Sequence, residues 1–109
     1  INSNDQEAYP ADSAEKMIET KIEFSWTFPY LIDESQEIAI EFNATCTPDI
    51  FLFDAKKKLF YRGQFDDSRP GSGESVGSDL LGAMKDLADG NAPPDVQKPS
   101  IGCNIKWKA

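Results

Sequence analysis

A small mixed α/β domain is the fold class that these 109 residues predict, and three observations predict it. Apolar residues recur at helical spacing in the first part of the chain, the pattern turns into continuous extended runs at Ile50, and helical spacing returns after Gly77. Two strand-like runs separated only by Asp54 to Lys58 make the middle an antiparallel hairpin. A proline-rich tail closes the chain. The expected architecture is a mixed sheet with an antiparallel hairpin and flanking helices.

The first helix opens near Asp12, whose carboxylate can accept from first-turn N–H groups with Glu15 three residues on, while Ala14, Met17, Ile18 and Ile22 mark its apolar face. Phe24 to Ile32 is dense in aromatic and β-branched residues, and its second half reads as a short edge strand beginning after Pro29. Asp33 with Gln36 repeats the capping signal before Ile38, Ala39 and Phe42, the stripe of a second helix ending near Asn43. Ile50–Phe53 is apolar throughout, which predicts a strand buried on both faces, and Leu59–Phe65 is its partner across a solvated tip at Lys56–Lys58. Asp66 to Gly77 shows no periodicity and reads as a loop. Ser78 can then cap a third helix whose Leu80, Leu81, Met84, Leu87 and Ala88 face the core, with Gly90 as its left-handed stop. From Asn91 to Pro99 three prolines predict an extended course over the surface. Alternation in the last segment places Ile101, Cys103, Ile105 and Trp107 on one side of a docked strand.

Composition removes several classes of function. Lys and Arg number 11 against 19 Asp and Glu, a net charge of −8, so the phosphate contacts that nucleic acid requires are not available. With no histidine, Ser-His-Asp and Cys-His catalysis and imidazole-bound zinc are excluded within this chain, and two cysteines cannot complete a zinc tetrahedron. Neither a cofactor nor a metal is expected. Asp66, Asp67, Ser68 and Glu74 lack the spacing of a calcium loop, Arg69 is better placed to pair with one of the aspartates, and Gly71–Ser72–Gly73 is too short for a phosphate loop. Trp26 and Trp107 read as core or tail anchors. No apolar run is long enough for a membrane span, and the polar Ile1–Asp5 is unlike a signal peptide. Sparse cysteines in such a chain point to a reducing, cytoplasmic compartment. The opening at Ile1, without a methionine and on what reads as the end of a strand, predicts a piece of a longer protein.

The most informative constellation is Ala44–Thr45–Cys46–Thr47–Pro48–Asp49 ahead of the Ile50 strand, the hairpin and the third helix. This order resembles the second half of a thioredoxin fold, in which a cis-proline heads the buried strand, here at Pro48. A cis X–Pro bond costs only about 0.5–1 kcal/mol, and it would turn the Thr47 backbone outward toward an extended peptide or thiol substrate. Longer phrases sharpen the resemblance: Tyr30–Glu37, Cys46–Asp54, Tyr61–Gly71 and Pro99–Lys108 look like the alkyl hydroperoxide reductase and thiol-specific antioxidant (peroxiredoxin-like, redoxin) group. It covers nearly the whole chain, with Ile1–Asp5 similar to the end of that family's second core strand.

The resemblance implies a thioredoxin-like domain fragment over residues 1–109, incomplete at its N-terminus, with 91–109 as an extended tail. It implies thiol-disulfide oxidoreductase chemistry in the intact protein, in which a thiolate attacks a disulfide or peroxide beside Thr47 and Pro48. The family's Cys-x-x-Cys-Pro motif, whose thiolate is stabilised by a helix N-terminus, has no counterpart here. Cys46 and Cys103 are the only redox-capable side chains, so the chain alone is expected to be redox-inactive. Each cysteine is read either as an exchange thiol or as a small packed hydrophobe, and a bridge between them would close a loop worth about 4 kcal/mol. The competing expectation is a non-enzymatic interaction module. A central strand is missing from the resemblance, and an open sheet edge invites strand addition or a homodimer.

Overall fold

Tyr61 is 2% exposed and anchors the hydrophobic core with Phe60 and Ala83, against which Ile50, Leu52, Leu80 and Leu87 pack. In the computed structural model, residues 1–69, 71 and 73–109 are described. Pro70, within the Tyr61–Gly71 phrase, and Ser72, between Gly71 and Gly73, lie outside them. The elements are α1 (Ala14–Glu23), α2 (Glu37–Glu41), β1 (Cys46–Thr47), β2 (Ile50–Phe53), β3 (Leu59–Gly63), α3 (Ser78–Ala88) and β4 (Cys103–Asn104), with a 3-10 turn at Pro10–Asp12. The protein is a small mixed α/β structure with two two-stranded sheets, β1–β4 and β2–β3. None of its described helices is long and apolar enough to cross a membrane. The chain divides into two compact units, one of Ile1–Thr45 with Asn104–Ala109 and the other of Cys46–Cys103.

In the first unit, α1 is capped by Ser13, whose hydroxyl accepts from Lys16 N–H at 3.3 Å. Asp12, the expected cap, instead accepts from Asn4 Nδ2, because the 3-10 turn shifts the helix start by one residue. Met17 is the buried residue of α1, while Ile18 and Ile22 are exposed. The expected strand after Pro29 is reduced to one parallel bridge between Asn2 and Ile32. Trp26 packs on Phe24, Phe28 and Tyr30, with ring centroids 5.1–5.8 Å apart; it is half-buried in a cluster of largely exposed rings rather than being the core anchor that the sequence predicts. Gln36, at φ +66°, takes the cap position of α2 in place of Asp33, but the Asp33 carboxylate still accepts from the first-turn Ile38 and Ala39 N–H groups at 3.3 and 3.0 Å. Burial pushes that carboxyl up, but the Ser3 hydroxyl and the N–H groups of Ala39, Ile38 and Gln36 outweigh burial and hold it below its usual value. The helix is only five residues long.

In the second unit, β2 and β3 form the expected antiparallel hairpin, with Ile50 opposite Gly63 and Leu52 opposite Tyr61. Asp54 shapes its tip by accepting from the N–H groups of Lys56 and Lys58 at 2.9 Å. Burial on both faces belongs to β3 rather than β2. Phe60 and Tyr61, adjacent and so on opposite faces, are both buried, whereas β2 is half-buried and ends at an exposed Phe53. Ala83 is the buried residue of α3, with Leu80 and Leu87 beside it, while Leu81 and Met84 face out, so the apolar stripe is narrower than predicted. Gly90 stops the helix at φ +75° as expected.

Ser78 does not cap α3. Gly77 occupies that position and is held by Asp66 across the loop, whose carboxylate accepts from Gly77 N–H at 2.7 Å and from the Ser75 hydroxyl at 3.0 Å, while Phe65 O accepts from the first-turn N–H of Leu80 at 3.2 Å. The Ser68 hydroxyl and N–H bind its other oxygen. The Ser68 hydroxyl first, and then Gly77 N–H, hold the Asp66 carboxyl well below the usual carboxylate range, against the opposing effect of burial.

Asp33 and Asp66 therefore make the fold acid-sensitive in a stated direction. Both folded-state pKa values lie below the free value of about 3.9, so the unfolded chain takes up protons first as the pH falls. Their contribution to stability is complete above that value and is lost below it. Urea midpoints measured between about pH 6 and pH 3 should fall, and Asp66→Asn should be less stable at neutral pH with a flatter pH dependence.

Candidate functional site

The residues that the sequence singles out lie where β1 runs into β2. Cys46 is 8% exposed and its Sγ–H donates to Pro48 O at 3.4 Å, while Thr47 and Pro48 are exposed. The Thr47–Pro48 peptide is cis. The next residue, Asp49, is anchored by Arg62 of β3, whose guanidinium lies 3.4 Å from Asp49 Oδ2 and 4.9 Å from the Phe51 ring centroid. One cation thus holds the loop after Pro48 and the strand that follows it.

Cys103 begins β4, the strand paired with β1. The two cysteines, far apart in sequence, are therefore brought onto neighbouring strands. They differ in environment: Cys46 is buried and Cys103 exposed, and neither is part of a disulfide. The expected alternation of the last segment is not realised. Ile105 is buried, but Ile101, Cys103 and Trp107 are exposed, since regular pairing extends only over Cys103–Asn104.

What draws β4 to β1 is a residue with no side chain. A Cβ on Gly102 would collide with the carbonyl of Thr47 and approach Pro48 N to 3.3 Å. Upstream, Ser100 donates its hydroxyl to Gly63 O at 2.6 Å and accepts from Ile50 N–H at 3.4 Å, bridging the rung at which those two strand residues face each other. Gln97 accepts from Arg62 N–H at 2.9 Å and donates to Phe60 O at 3.3 Å. Gln97, Ser100 and Gly102 were not singled out by sequence reasoning. For Gly102 a signal existed, since an isolated glycine in a strand pattern marks a close backbone approach.

The acidic loop is a structural knot. Gln64, 3% exposed, donates from Nε2 to Asp67 and Asp79, both at 2.7 Å, and its Oε1 accepts from Arg69 at 3.3 Å. Arg69 also donates to the carbonyls of Asp66 and Ser68, and Lys98 forms an ion pair with Asp67 at 3.1 Å. The Gln64 amide first, and then Lys98, lower the Asp67 carboxyl. Among the described residues no group of three or more His, Cys, Asp and Glu side chains is arranged to hold a metal ion.

Two solved structures share this backbone. A hypothetical protein from Sinorhizobium meliloti 1021 is 46% identical with a TM-score of 0.95 over 99% of this chain and 60% of its own. An uncharacterized conserved protein from Geobacillus kaustophilus is 52% identical with a TM-score of 0.93, over 98% of this chain and 57% of its own. The chain thus spans about three fifths of the length of these solved relatives, and neither description names an activity. No family model and no curated protein matches the chain.

Gly102→Ala tests the geometry of the site. The added methyl group has to displace the Thr47 carbonyl, so the substitution should cost about 1–3 kcal/mol in urea unfolding and shift the backbone amide resonances of Thr47 and Cys103. Gly82→Ala, in open space on α3, should be neutral or stabilising.

Proposed function

We propose that this chain is the thioredoxin-like, substrate-side portion of a peroxiredoxin-like thiol-disulfide oxidoreductase, a protein that reduces a peroxide or disulfide through cysteine thiols. The observation that carries the reading is the grouping at β1: a buried thiol two residues from Pro48, the exposed Thr47 and Pro48, and a second, exposed thiol on the neighbouring strand. The order of loop, antiparallel hairpin and α3 supports the same assignment. In this reading Thr47 and Pro48 line the substrate, and Cys46 and Cys103 are the thiols available for exchange. No imidazole is present to activate either of them.

With no cysteine opening a helix, the 109-residue chain should show little or no peroxide-dependent or disulfide-dependent thiol consumption. A thiol-consumption assay with peroxide and with a small disulfide checks this. Turnover by the chain that disappears in Cys46→Ser or Cys103→Ser would overturn the redox-silent reading and identify the working thiol.

One observation favours a second reading, a non-enzymatic interaction module or self-associating domain. Large apolar side chains stand far into solvent, among them Ile22 at 73% and Val96 at 75% exposed, and no large side chain is fully buried among the described residues. Sedimentation over a concentration series separates the two. A concentration-dependent dimer supports the module, and a monomer that unfolds cooperatively opposes it.

A further inference from the structure

The stretch from Asn91 to Cys103 contains no buried residue, yet it follows a defined path. Val96 and Ile101 are 75% and 62% exposed, so burial of apolar surface does not hold it down. What holds it is a set of polar bonds to β3, on the edge that faces away from β2 at Phe60, Arg62 and Gln64 and at the last β2–β3 rung at Gly63. Gln97 supplies both halves of a peptide group to that edge, accepting from Arg62 N–H and donating to Phe60 O. Lys98 O accepts from Gln64 N–H at 2.8 Å, and the Ser100 hydroxyl ties Gly63 to Ile50. The Lys98–Asp67 ion pair is exposed at both ends and contributes little. The far end of the segment lies on the proposed site: Gly102 lies against the Thr47 carbonyl, and Cys103 opens the strand paired with the one that contains Cys46.

We propose that Gln97–Cys103 is a releasable latch whose opening exposes the Cys46 thiol. A segment held by a few side-chain hydrogen bonds, one backbone bond to Gln64 and a two-residue strand pairing, with no buried apolar group, opens at a small fraction of the free energy of global unfolding. Its grip is on β3 while its end is on β1, so letting go of the Phe60–Gln64 edge loosens the strand beside Cys46. The latch rests on the reading of Cys46 as a working thiol only for its purpose, and not for its physics.

Alkylation by N-ethylmaleimide tests it in the full chain, with modification at Cys46 and Cys103 followed separately by peptide mass spectrometry. Addition of a thiolate to the maleimide needs no redox turnover, so failure of the oxidoreductase reading leaves the result intact. Cys103, being exposed, should react fast already in the parent chain, and free N-acetylcysteine in the same solution serves as the reference. In the parent chain Cys46 should react far more slowly than Cys103, with a rate that rises only shallowly with urea, as local opening does. Gln97→Ala, which removes two of the bonds to β3, should speed Cys46 by about tenfold without a matching drop in the urea midpoint. Ser100→Ala should act in the same direction. Leu87→Ala, which weakens the core and leaves the latch bonds in place, should speed Cys46 only as far as it lowers global stability. Any of three results would overturn the proposal: equal rates for the two cysteines in the parent, no effect of Gln97→Ala, or a urea dependence for Cys46 as steep as that of global unfolding.

Discussion

Side-chain amides standing in for peptide groups are the interaction on which this structure depends. Its strands are two to five residues long, too short to satisfy the backbone of the segments that run beside them, and buried N–H and C=O groups left without partners would be costly. Gln36 supplies the partners in the first unit, donating to Ser3 O and Lys106 O and accepting from Lys108 N–H, with Asn4 accepting from Lys106 N–H. Asn2 adds a bond to Asp12 O. Gln97 does the same in the second unit, accepting from Arg62 N–H and donating to Phe60 O and Pro94 O. No buried side-chain nitrogen or oxygen is left without a partner among the described residues, so the amides that bind these backbone groups are themselves satisfied.

Polar stitching of this kind differs from an apolar core in how it fails. Each bond contributes about 1 kcal/mol net, and a glutamine that loses one partner still has water to turn to if its segment lifts away. The β2–β3–α3 core around Tyr61 behaves otherwise, because separating β3 from α3 exposes several apolar side chains together. Two grades of stability therefore exist within the second unit. The hairpin and α3 form the firm part, and the segment after Asn91 is the part that yields. Thr47 and Pro48 lie where the two meet, held by Arg62 through Asp49 on the firm side and touched by Gly102 on the yielding side.

The elements that local pattern alone determines were legible in the sequence. Ile50–Phe53 and its partner strand could be read because a short connection leaves an antiparallel hairpin as the only simple pairing, and Asp33 could be read as an acceptor for the first turn of α2 because its partners are near in sequence, although Gln36 rather than Asp33 takes the cap position. The neighbourhood of Cys46, Thr47 and Pro48 is likewise a matter of adjacency. What was illegible is long-range. Nothing local joins Gln36 to Lys106 or Gln97 to Arg62, and a glutamine in a polar stretch ordinarily means solvent. The start of α3 was illegible for the same reason: Gly77 rather than Ser78 is its cap residue, and it is held there by a carboxylate eleven residues earlier once the loop folds back. The alternation after Ile101 predicted a whole strand where only Cys103–Asn104 pairs, since period two records which side chains could share a face and not whether a partner strand is long enough.

A thiol at 8% exposure is usually inert, and burial alone would make Cys46 a small packing residue. Its surroundings weaken that account. Packing alone would be served by alanine or valine, neither of which donates to the Pro48 carbonyl, and it does not require the neighbouring strand to lie against Thr47 through a glycine. The close approach at Gly102 brings a segment without any buried residue to the backbone beside the buried thiol. A site arranged in this way lets solvent access to Cys46 be set by the strength of polar bonds more than ten residues away on β3, without any change in the core that positions it.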